Sequence, residues 1–394
     1  MLFGFRENID NGVKCICFAP LFEWRIITME NINKLITINR DNKPIYKIYI
    51  EKDYGKLAEI FHDLELQGRK VCIVSDTNVG PLYIEKVLGI AKDYAEVIET
   101  FTFEAGEESK NLEVVNRLYE HLIQAAFDRN DVLFALGGGV VGDLVGFTAA
   151  TYLRGIRFVQ MPTSLLAMVD SSIGGKTGVD FLKYKNMVGA FYMPQAVYIN
   201  LSVLQTLTDA QYYSGFAEVI KYGCIMDQLF YEDIKKQTPA LCERNLAALE
   251  NIIYNSCMCK KKIVENDPTE KGERALLNYG HTLGHAIEKL KDFSMLHGEC
   301  VSIGMALASH IALSRGNITR EEHEDMLQTC KKLHLPVSYT NLEPEAILKT
   351  SKSDKKMDAG KIKFILLSSV GKAYIDKTVT DDELLDALMS VKEV

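Results

Sequence analysis

The stretch "DVLFALGGGVVGDLVGF", Asp131–Phe147, predicts a buried strand that runs through a glycine triplet into a helix. Glycines at such a turn let backbone N–H groups approach an anion with no Cβ in the way, and the helix N-terminus favours negative charge. The spacing differs from the G-x-G-x-x-G dinucleotide fingerprint. A tight strand-to-helix turn needs fewer glycines than this stretch contains. The stretch therefore favours a phosphate or nucleotide site over a simple turn.

The segments around this stretch alternate between strand and helix patterns. Further predicted strands lie at 44–50, 70–76 and 95–103, and predicted helices lie at 57–66, 82–91 and 111–127. This alternation predicts βαβ units and a mostly parallel sheet. After Thr206 the pattern changes to long helical segments, and a short strand pair follows late in the chain. The helical segments are 211–226, 246–265, 276–291 and 299–314, and the late strands are 362–367 and 373–375.

The chain of 394 residues is too long for one ordinary domain. The change of pattern predicts an α/β domain with parallel-sheet, nucleotide-binding character at 29–205, followed by a mostly α-helical domain at 206–394. The first 28 residues show no clear periodicity, and we expect them to form an extension outside the fold.

The composition restricts the class of partner and the compartment. With 45 basic and 53 acidic residues the net charge is −8, which favours neither nucleic acid nor an anionic membrane. Nine cysteines without a C-x-x-C pair indicate a reducing compartment rather than a zinc ribbon or a redox dithiol. No apolar run approaches the roughly 20 residues of a membrane span. The charged residues near the start make a poor signal peptide, so we expect a cytoplasmic protein.

Two further segments have the character of ligand-binding loops. "PTSLLAMVDSSIGGKTGVD", 162–180, combines Asp170, a glycine pair and Lys176 in a segment too irregular for one helix. Its lysine is suited to binding phosphate, and its apolar "LLAMV" run is unusual for a surface loop. "SDTN", 75–78, places polar residues at the carboxyl end of a predicted strand, which is the edge where open α/β sheets bind ligands.

Three histidines point to a metal site. "NYGHTLGHAIE", 278–288, puts His281 and His285 on one helix face, a spacing compatible with metal binding, and His297 follows in "MLHGE". Glu218 lies in the apolar helical segment "GFAEVIKYG", where a carboxylate needs a reason. A glutamate with two histidines would form a catalytic metal site with an open position. Spacing alone favours His281 and His285, but it leaves the choice of pair open.

From about residue 30 to the end, the sequence resembles the 3-dehydroquinate synthase family of sugar-phosphate cyclases. The resemblance rests on six blocks in the family's order and spacing: "GGGVVGD", "RGIRFVQMPTSLLAMVDSSIGGKTGVD", "KNMVGAFYMP", "GFAEVIKYG", "NYGHTLGHAIE" and "LHGE". It implies a cytoplasmic homodimer with an NAD-binding N-terminal domain and a helical, metal-binding C-terminal domain. It also implies the conversion of 3-deoxy-arabino-heptulosonate 7-phosphate into 3-dehydroquinate and phosphate, in the shikimate pathway.

The resemblance also implies roles for individual residues. The zinc or cobalt ligands would be Glu218, His281 and His297, and His285 would then bind the substrate's phosphate. The other substrate positions would be Asp170, Lys176, Asn186, Lys221, Lys260, Arg274 and Asn278, with Lys355 or Lys356. Arg154 would reach the phosphate site of a partner subunit. The NAD contacts would be Asp76, Asn78, Glu107, Lys110, Gly138, Gly139, Val140, Asp143, Thr163, Ser164, Lys185, Thr206 and Leu207.

These residue types suit the implied reaction. Converging Lys and Arg side chains match a substrate with a dianionic phosphate and a carboxylate. NAD would borrow a hydride, the metal would polarise the new carbonyl, and phosphate would leave by elimination before an aldol closure.

Other classes of protein remain as alternatives. A sister cyclase, such as 2-deoxy-scyllo-inosose synthase or a sedoheptulose 7-phosphate cyclase, would alter the positions that bind the carboxylate, whereas Lys260, Arg274 and Asn278 are all present here. A metal-dependent polyol dehydrogenase would not need the "SSIGGKTG" loop, and a non-enzymatic binding protein would tolerate loss of the ligands.

Overall fold

The computed structural model describes residues 34–182, 184–270, 272–352, 357–358 and 361–393. The predicted extension at 1–28 and the pair Lys355–Lys356 lie outside these residues. The strands and helices of the first half are, in chain order, β1 (Lys34–Arg40), β2 (Lys43–Glu51), α1 (Leu57–Asp63), β3 (Lys70–Asp76), α2 (Gly80–Ala91), β4 (Val97–Phe103), α3 (Leu112–Gln124), β5 (Val132–Gly137), α4 (Gly139–Thr151), β6 (Arg157–Pro162), β7 (Lys176–Phe181), β8 (Tyr184–Phe191) and β9 (Ala196–Asn200).

The main sheet has seven strands in the order β1-β2-β9-β6-β5-β3-β4. Every neighbouring pair is parallel except β1 with β2. The predicted βαβ units and mostly parallel sheet are therefore confirmed. The antiparallel edge strand β1 was not predicted. A local signal exists for it, because Asp41 and Asn42 join β1 to β2 with φ of 53° and 60°, the backbone of a tight hairpin turn.

The quoted glycine stretch folds as the sequence predicts. Every residue of β5 is buried at the centre of the sheet, and α4 begins two residues after the strand ends. A Cβ at Gly137 would lie 2.4 Å from a side-chain carbon of Val141, so the strand can enter the helix this closely only through glycine. This turn carries the first residues of α4 at the carboxyl edge of the sheet.

A hairpin outside the main sheet follows the irregular segment. Residues Ala167–Ser171 form a short helical turn, and β7 then pairs antiparallel with β8. This pair was not predicted, because its mixed apolar and polar residues give no clear alternation. The hairpin brings Lys185 and Asn186 towards the helical part of the chain.

The second half is mostly helical, as predicted. Its strands and helices are α5 (Asp209–Met226), α6 (Gln228–Cys242), α7 (Leu246–Asn266), α8 (His281–Leu290), α9 (His297–Ser314), α10 (Arg320–Lys332), α11 (Pro344–Lys352), β10 (Met357–Asp358), β11 (Lys361–Ile362), β12 (Phe364–Ser369), β13 (Lys372–Asp376) and α12 (Asp381–Val391). The single helix predicted at 276–291 is wrong at its start. A short 3₁₀ turn, Glu273–Asn278, ends there, and α8 begins only after Gly280, whose φ is 77°.

The apolar core is continuous across both halves. One cluster of buried side chains extends from Ile36 and Ile48 in the sheet to Leu307 in α9 and Leu388 in α12. A smaller cluster fills the space between the sheet and helices α3 and α4, with Leu118 and Leu144 at its centre. Within the described residues no helix is long and apolar enough to cross a membrane.

Candidate active site

The carboxyl edge of the parallel strands gathers the first group of predicted residues. Asp76 ends β3, Gly138 follows β5, and Thr163 follows β6, and these three strands are neighbours in the sheet. The Asp76 carboxylate accepts backbone hydrogen bonds from Asn78 and Val79 at 2.9 and 2.8 Å, which fixes the turn. The N–H of Thr163 donates to Gly137 at 2.9 Å. The fold thus brings sequence-distant residues of the predicted NAD set to one edge.

Lys110 connects this edge to the β7–β8 hairpin. Its Nζ lies 2.7 Å from a carboxylate oxygen of Asp143 in α4 and donates to the Asn186 side chain at 2.6 Å. Burial alone would lower the pKa of Lys110, but the carboxylates of Asp143 and Glu107 hold that pKa above its usual value. The ammonium is therefore charged, and it fixes the α4 N-terminal turn against the hairpin.

Four side chains from three helices form the metal-type cluster. His281 and His285 lie on α8, His297 begins α9, and Glu218 lies in α5. One ring nitrogen from each histidine lies within 4.8 Å of those of the others. The Oε1 atom of Glu218 lies 3.5 Å from Nε2 of His281 and 3.8 Å from Nε2 of His297. The glutamate thus faces His281 and His297, while all three histidines lie close enough to hold one ion.

The buried Glu218 carboxylate is only partly satisfied. Its Oε2 accepts a hydrogen bond from Lys221 one turn further along α5, whereas its buried Oε1 accepts no hydrogen bond from the described residues. An unsatisfied buried carboxylate oxygen is costly unless something binds it. A divalent cation held by Glu218 together with the neighbouring histidines would satisfy it.

Neighbouring groups orient two of the histidine rings. Nδ1 of His281 donates to the carbonyl of Tyr279 at 3.0 Å, which directs Nε2 towards Glu218. Nδ1 of His297 lies 3.7 Å from a carboxylate oxygen of Glu288. Burial would raise the pKa of Glu288, but His297 and Lys185 lower it to about 2, so this carboxylate is ionised.

A second, largely buried group centres on Asp170, at the helical turn before the hairpin; the Asp170 side chain itself is 29% exposed. Its carboxylate pairs with Lys260 of α7 and accepts a hydrogen bond from the Tyr222 hydroxyl at 2.7 Å. Burial opposes ionisation, yet Lys260 and Lys221 hold the pKa of Asp170 well below its usual range. The sequence did not predict a role for Tyr222, because a tyrosine in an apolar helix is common and its contact with Asp170 is not visible in the sequence.

The remaining predicted substrate residues surround the glycine pair of the irregular segment. Lys176 pairs with Glu270, which also accepts a 3.4 Å hydrogen bond from Asn278. Arg274 is 1% exposed and donates to the carbonyls of Pro268 and Gly174, while its Nε has no partner among the described residues. A buried guanidinium with an unused donor is suited to an anionic ligand.

The structure places the other predicted residues less uniformly. Thr206 is hydrogen-bonded to Tyr83, Ser164 caps the turn before Ala167, and Glu107 lies 3.7 Å from Lys185. Arg154 is exposed and lies just before β6, at the amino edge of the sheet, so the chain does not bring it to its own site. Glu270 and Glu288 were missed, since their roles depend on partners far away in sequence.

The fold and the site define a class: an α/β nucleotide-type domain whose carboxyl edge faces a helical part with a Glu–His cluster and buried cations. Residues 100–214 match the family model described as 3-dehydroquinate synthase N-terminal, and residues 215–357 match that described as 3-dehydroquinate synthase C-terminal. The chain belongs to the 3-dehydroquinate synthase family.

Individual relatives agree with this assignment. The 3-dehydroquinate synthase of Acetivibrio thermocellus is 41% identical over 345 residues, which cover 88% of this chain and 96% of that protein. Among solved structures, 2-epi-5-epi-valiolone synthase from Streptomyces hygroscopicus subsp. jinggangensis, with NAD⁺ and Zn²⁺ bound, is 25% identical with a TM-score of 0.81, covering 93% of this chain and 99% of that one. A 2-deoxy-scyllo-inosose synthase with carbaglucose-6-phosphate, NAD⁺ and Co²⁺ is 24% identical with a TM-score of 0.81, covering 91% and 100%, and shows the shared fold.

Proposed function

We propose that this chain converts 3-deoxy-arabino-heptulosonate 7-phosphate into 3-dehydroquinate and phosphate, as a carbon–oxygen lyase of the shikimate pathway. The observation that carries the proposal is that this member of the family contains two groups of side chains suited to ligands. One is the Glu218–histidine cluster, and the other is the set of buried cations around Asp170 and Arg274. The first suits a metal, and the second suits a substrate with more than one anionic group.

The cluster residues fit a divalent metal, Zn²⁺ or Co²⁺. The donor set of one carboxylate and two imidazoles is typical of catalytic zinc, and Glu218 Oε1 is buried without a hydrogen-bond donor among the described residues. We propose Glu218, His281 and His297 as the ligands. When bound, the metal supplies a Lewis acid that polarises a carbonyl oxygen.

The carboxyl edge of the sheet fits NAD. Gly138 and Gly139, at the start of α4, are only partly buried, so the backbone N–H groups of this turn suit a closely approaching pyrophosphate. Lys110 holds this turn against the hairpin that carries Asn186. When bound, NAD supplies a hydride acceptor that is restored within one turnover. The proposed NAD contacts are the thirteen residues that the resemblance implies, of which Asp76 is the first and Leu207 the last in the chain.

The cations of the chain bind and orient the substrate in this proposal. Lys176 and Lys260 each pair with a carboxylate, so they can exchange that partner for an anionic substrate group. Arg274 Nε is a buried donor with no partner among the residues that the structure describes, which suits the substrate's carboxylate. His285 belongs to the metal-type cluster, with its ring 5.7 Å from that of His297, and in this proposal it binds the substrate's phosphate and not the metal.

Lys221 and Tyr222 shape the electrostatics of the site. Lys221 pairs with Glu218, and Tyr222 donates to Asp170, whose pKa Lys260 and Lys221 hold well below its usual range against the effect of burial. Both side chains also fill space that water would otherwise occupy, which strengthens charge interactions with a bound substrate.

We extend the proposal to the oligomeric state, the compartment and the domain boundary. Arg154, exposed at the opposite sheet edge, suits a role in the phosphate site of a second copy, so the working unit would be a homodimer in the cytoplasm. The boundary near residue 205 falls between β9, which ends at Asn200, and α5, which begins at Asp209. The NAD-binding part would be 29–205 and the helical part 206–394, with 1–28 outside the family fold.

The test is phosphate release from the heptulosonate phosphate, with and without a chelator, at an NAD concentration below that of the substrate. We expect release to continue for many turnovers, to stop with the chelator, and to proceed with no net increase in nicotinamide absorbance. Accumulation of NADH with a simple polyol and no phosphate release would make the chain a dehydrogenase. Release from a sugar phosphate that lacks a carboxylate, but not from the heptulosonate, would make it a sister cyclase.

A further inference from the structure

Glu288 has a position that none of the roles above uses. It lies on the buried side of α8, one turn after His285, and only 4% of its surface is exposed. A carboxylate buried to this extent in a helix needs charged or hydrogen-bonding partners to offset its desolvation. Its two oxygens face different parts of the molecule.

One oxygen faces the metal-type cluster. Oε2 of Glu288 lies 3.7 Å from Nδ1 of His297, while Nε2 of the same ring faces Glu218 Oε1 at 3.8 Å. The imidazole thus lies between two carboxylates, one at each nitrogen. A carboxylate on the outer nitrogen of a metal-binding histidine fixes the tautomer and the ring orientation, and it raises the basicity of the inner nitrogen.

The other oxygen faces the cofactor side. Oε1 of Glu288 accepts a 3.0 Å hydrogen bond from Nζ of Lys185, 103 positions away in the β7–β8 hairpin. The same ammonium lies 3.7 Å from Glu107 and 4.3 Å from the centre of the Phe293 ring. Lys185 is therefore held from several sides, and it fixes the Glu288 carboxylate in turn.

We propose that Glu288 is a positioning residue for the metal ligand His297, and that Lys185 holds Glu288 in place from the cofactor-side hairpin. This inference rests on the proposed metal site of the proposed function. It adds an outer residue to that site and a physical link from the hairpin to the metal. Glu288 itself touches neither substrate nor metal.

The test measures metal affinity rather than activity. The full chain is stripped with a chelator, and Zn²⁺ and Co²⁺ are titrated back without NAD or substrate. We expect Glu288→Gln to weaken Zn²⁺ binding by about 10–100-fold, the usual effect of losing such an outer carboxylate. The visible absorption bands of the Co²⁺ form should also change, because the His297 ring is no longer held in one orientation.

Glu299→Gln is the matched control. Glu299 is an acidic residue in the first turn of α9, but its carboxylate accepts from the backbone N–H of Leu296 at 2.9 Å and caps the helix. We expect native metal affinity and native Co²⁺ bands for this variant. Glu288→Asp, which keeps the charge, should recover part of the affinity, and Lys185→Met should weaken binding by a few-fold only when Glu288 is present.

The outcomes are distinct. Native Zn²⁺ affinity and an unchanged Co²⁺ spectrum in folded Glu288→Gln would overturn the inference. If Glu288→Gln does not fold, the Lys185→Met variant decides, since it frees the carboxylate without removing it, and native affinity there would count against the role of Lys185 and Glu288 together. Failure of the proposed function would give a different result: the unsubstituted protein would bind the metal normally but release no phosphate.

Discussion

Two charge clusters of this molecule differ in their surroundings. In the site, Glu218, Lys221 and Arg274 are all 1% exposed or less. Near the C-terminus, Arg315 forms a two-pronged pair with Glu383, at 2.6 and 2.9 Å, and a 3.0 Å pair with Asp376; the side chains of Arg315 and Glu383 are 21% and 31% exposed. This partly exposed group, the surface cluster, lost less hydration than the buried cluster of the site when it formed.

The two clusters differ in how much they contribute to the stability of the fold. Burying a charged pair costs more desolvation free energy than forming a pair at the surface. Apolar residues of similar shape in its place would often stabilise the fold better. A surface pair contributes about 0–1 kcal/mol at little cost. In the buried cluster two buried atoms, Glu218 Oε1 and Arg274 Nε, have no hydrogen-bond partner among the described residues, and the proposed function assigns both to ligands. The surface cluster needs no ligand to explain it.

The largest expected effect tests the metal ligands within the buried cluster. We expect His297→Ala to lose bound metal and to lower turnover by about 1,000-fold or more, since a ligand and the Lewis acid are lost together. His285→Ala should keep the metal and still lose most of the turnover. Metal content by elemental analysis separates the two variants, with surface His310→Ala as control. An empty His285→Ala protein beside a loaded His297→Ala protein would show that the i, i+4 pair binds the metal.

The next effect tests the cost of an unpaired buried charge. Lys260→Met leaves the partly buried Asp170 carboxylate, 29% exposed, with Tyr222 and Lys221 as its remaining partners, so we expect a loss of about 1–3 kcal/mol. The double variant Lys260→Met with Asp170→Asn should recover part of that loss, because it buries no unpaired charge. Denaturant unfolding measures both, and a double variant less stable than the single one would contradict this account.

A smaller effect belongs to a site residue that is half exposed. The side chain of Lys176 is 48% exposed in its pair with Glu270. We expect Lys176→Ala to change stability by less than about 1 kcal/mol. The loss of a charged hydrogen bond to the phosphate should nevertheless raise KM about tenfold or more. Lys235→Ala, a lysine paired with Glu232 and Asp325 outside the site, is the control and should keep the native KM.

The smallest effect concerns the surface cluster and depends on pH. The Arg315 guanidinium lowers the pKa of Glu383 to about 2, from an ordinary value of 4.5. A lowered pKa in the folded state means that the pair stabilises the fold above the unfolded pKa and loses this effect as pH falls towards the folded pKa. Glu383→Gln should therefore cost at most about 1 kcal/mol at neutral pH, and the difference should shrink below about pH 4.5. Unfolding curves at both pH values measure it, and a difference that grows in acid would refute this explanation.

Much of the fold follows from local patterns in the sequence. The spacing of apolar residues predicts β3, α3 and α5 with nearly their observed bounds. The strand spacing and the helix spacing each reflect which face of a single element is buried. Where that face is mixed, the pattern fails. The residues of the β7–β8 hairpin do not alternate between apolar and polar, so the hairpin was not predicted. The edge strand β1 was missed in spite of its turn residues.

The break before α8 shows a different limit. The residues from Leu276 to Lys291 have helical spacing throughout, yet the α-helix begins at His281. Gly280 adopts a left-handed backbone there, and a Cβ on it would lie 2.7 Å from the Met305 side chain of α9. Packing against α9 thus decides the break, and the local propensity of the segment does not.

The candidate site divides in the same way. The glycine turn and the i, i+4 histidines are readable in the sequence, because each depends on residues a few positions apart, and the order of the family's blocks carries the implied roles. The choice of His297 as the partner of Glu218, the Lys260–Asp170 pair and the Lys185–Glu288 contact join residues from different elements. Only the tertiary structure decides these, since the strength of a charge interaction depends on distance and burial, and both are set by how the helices pack against the sheet.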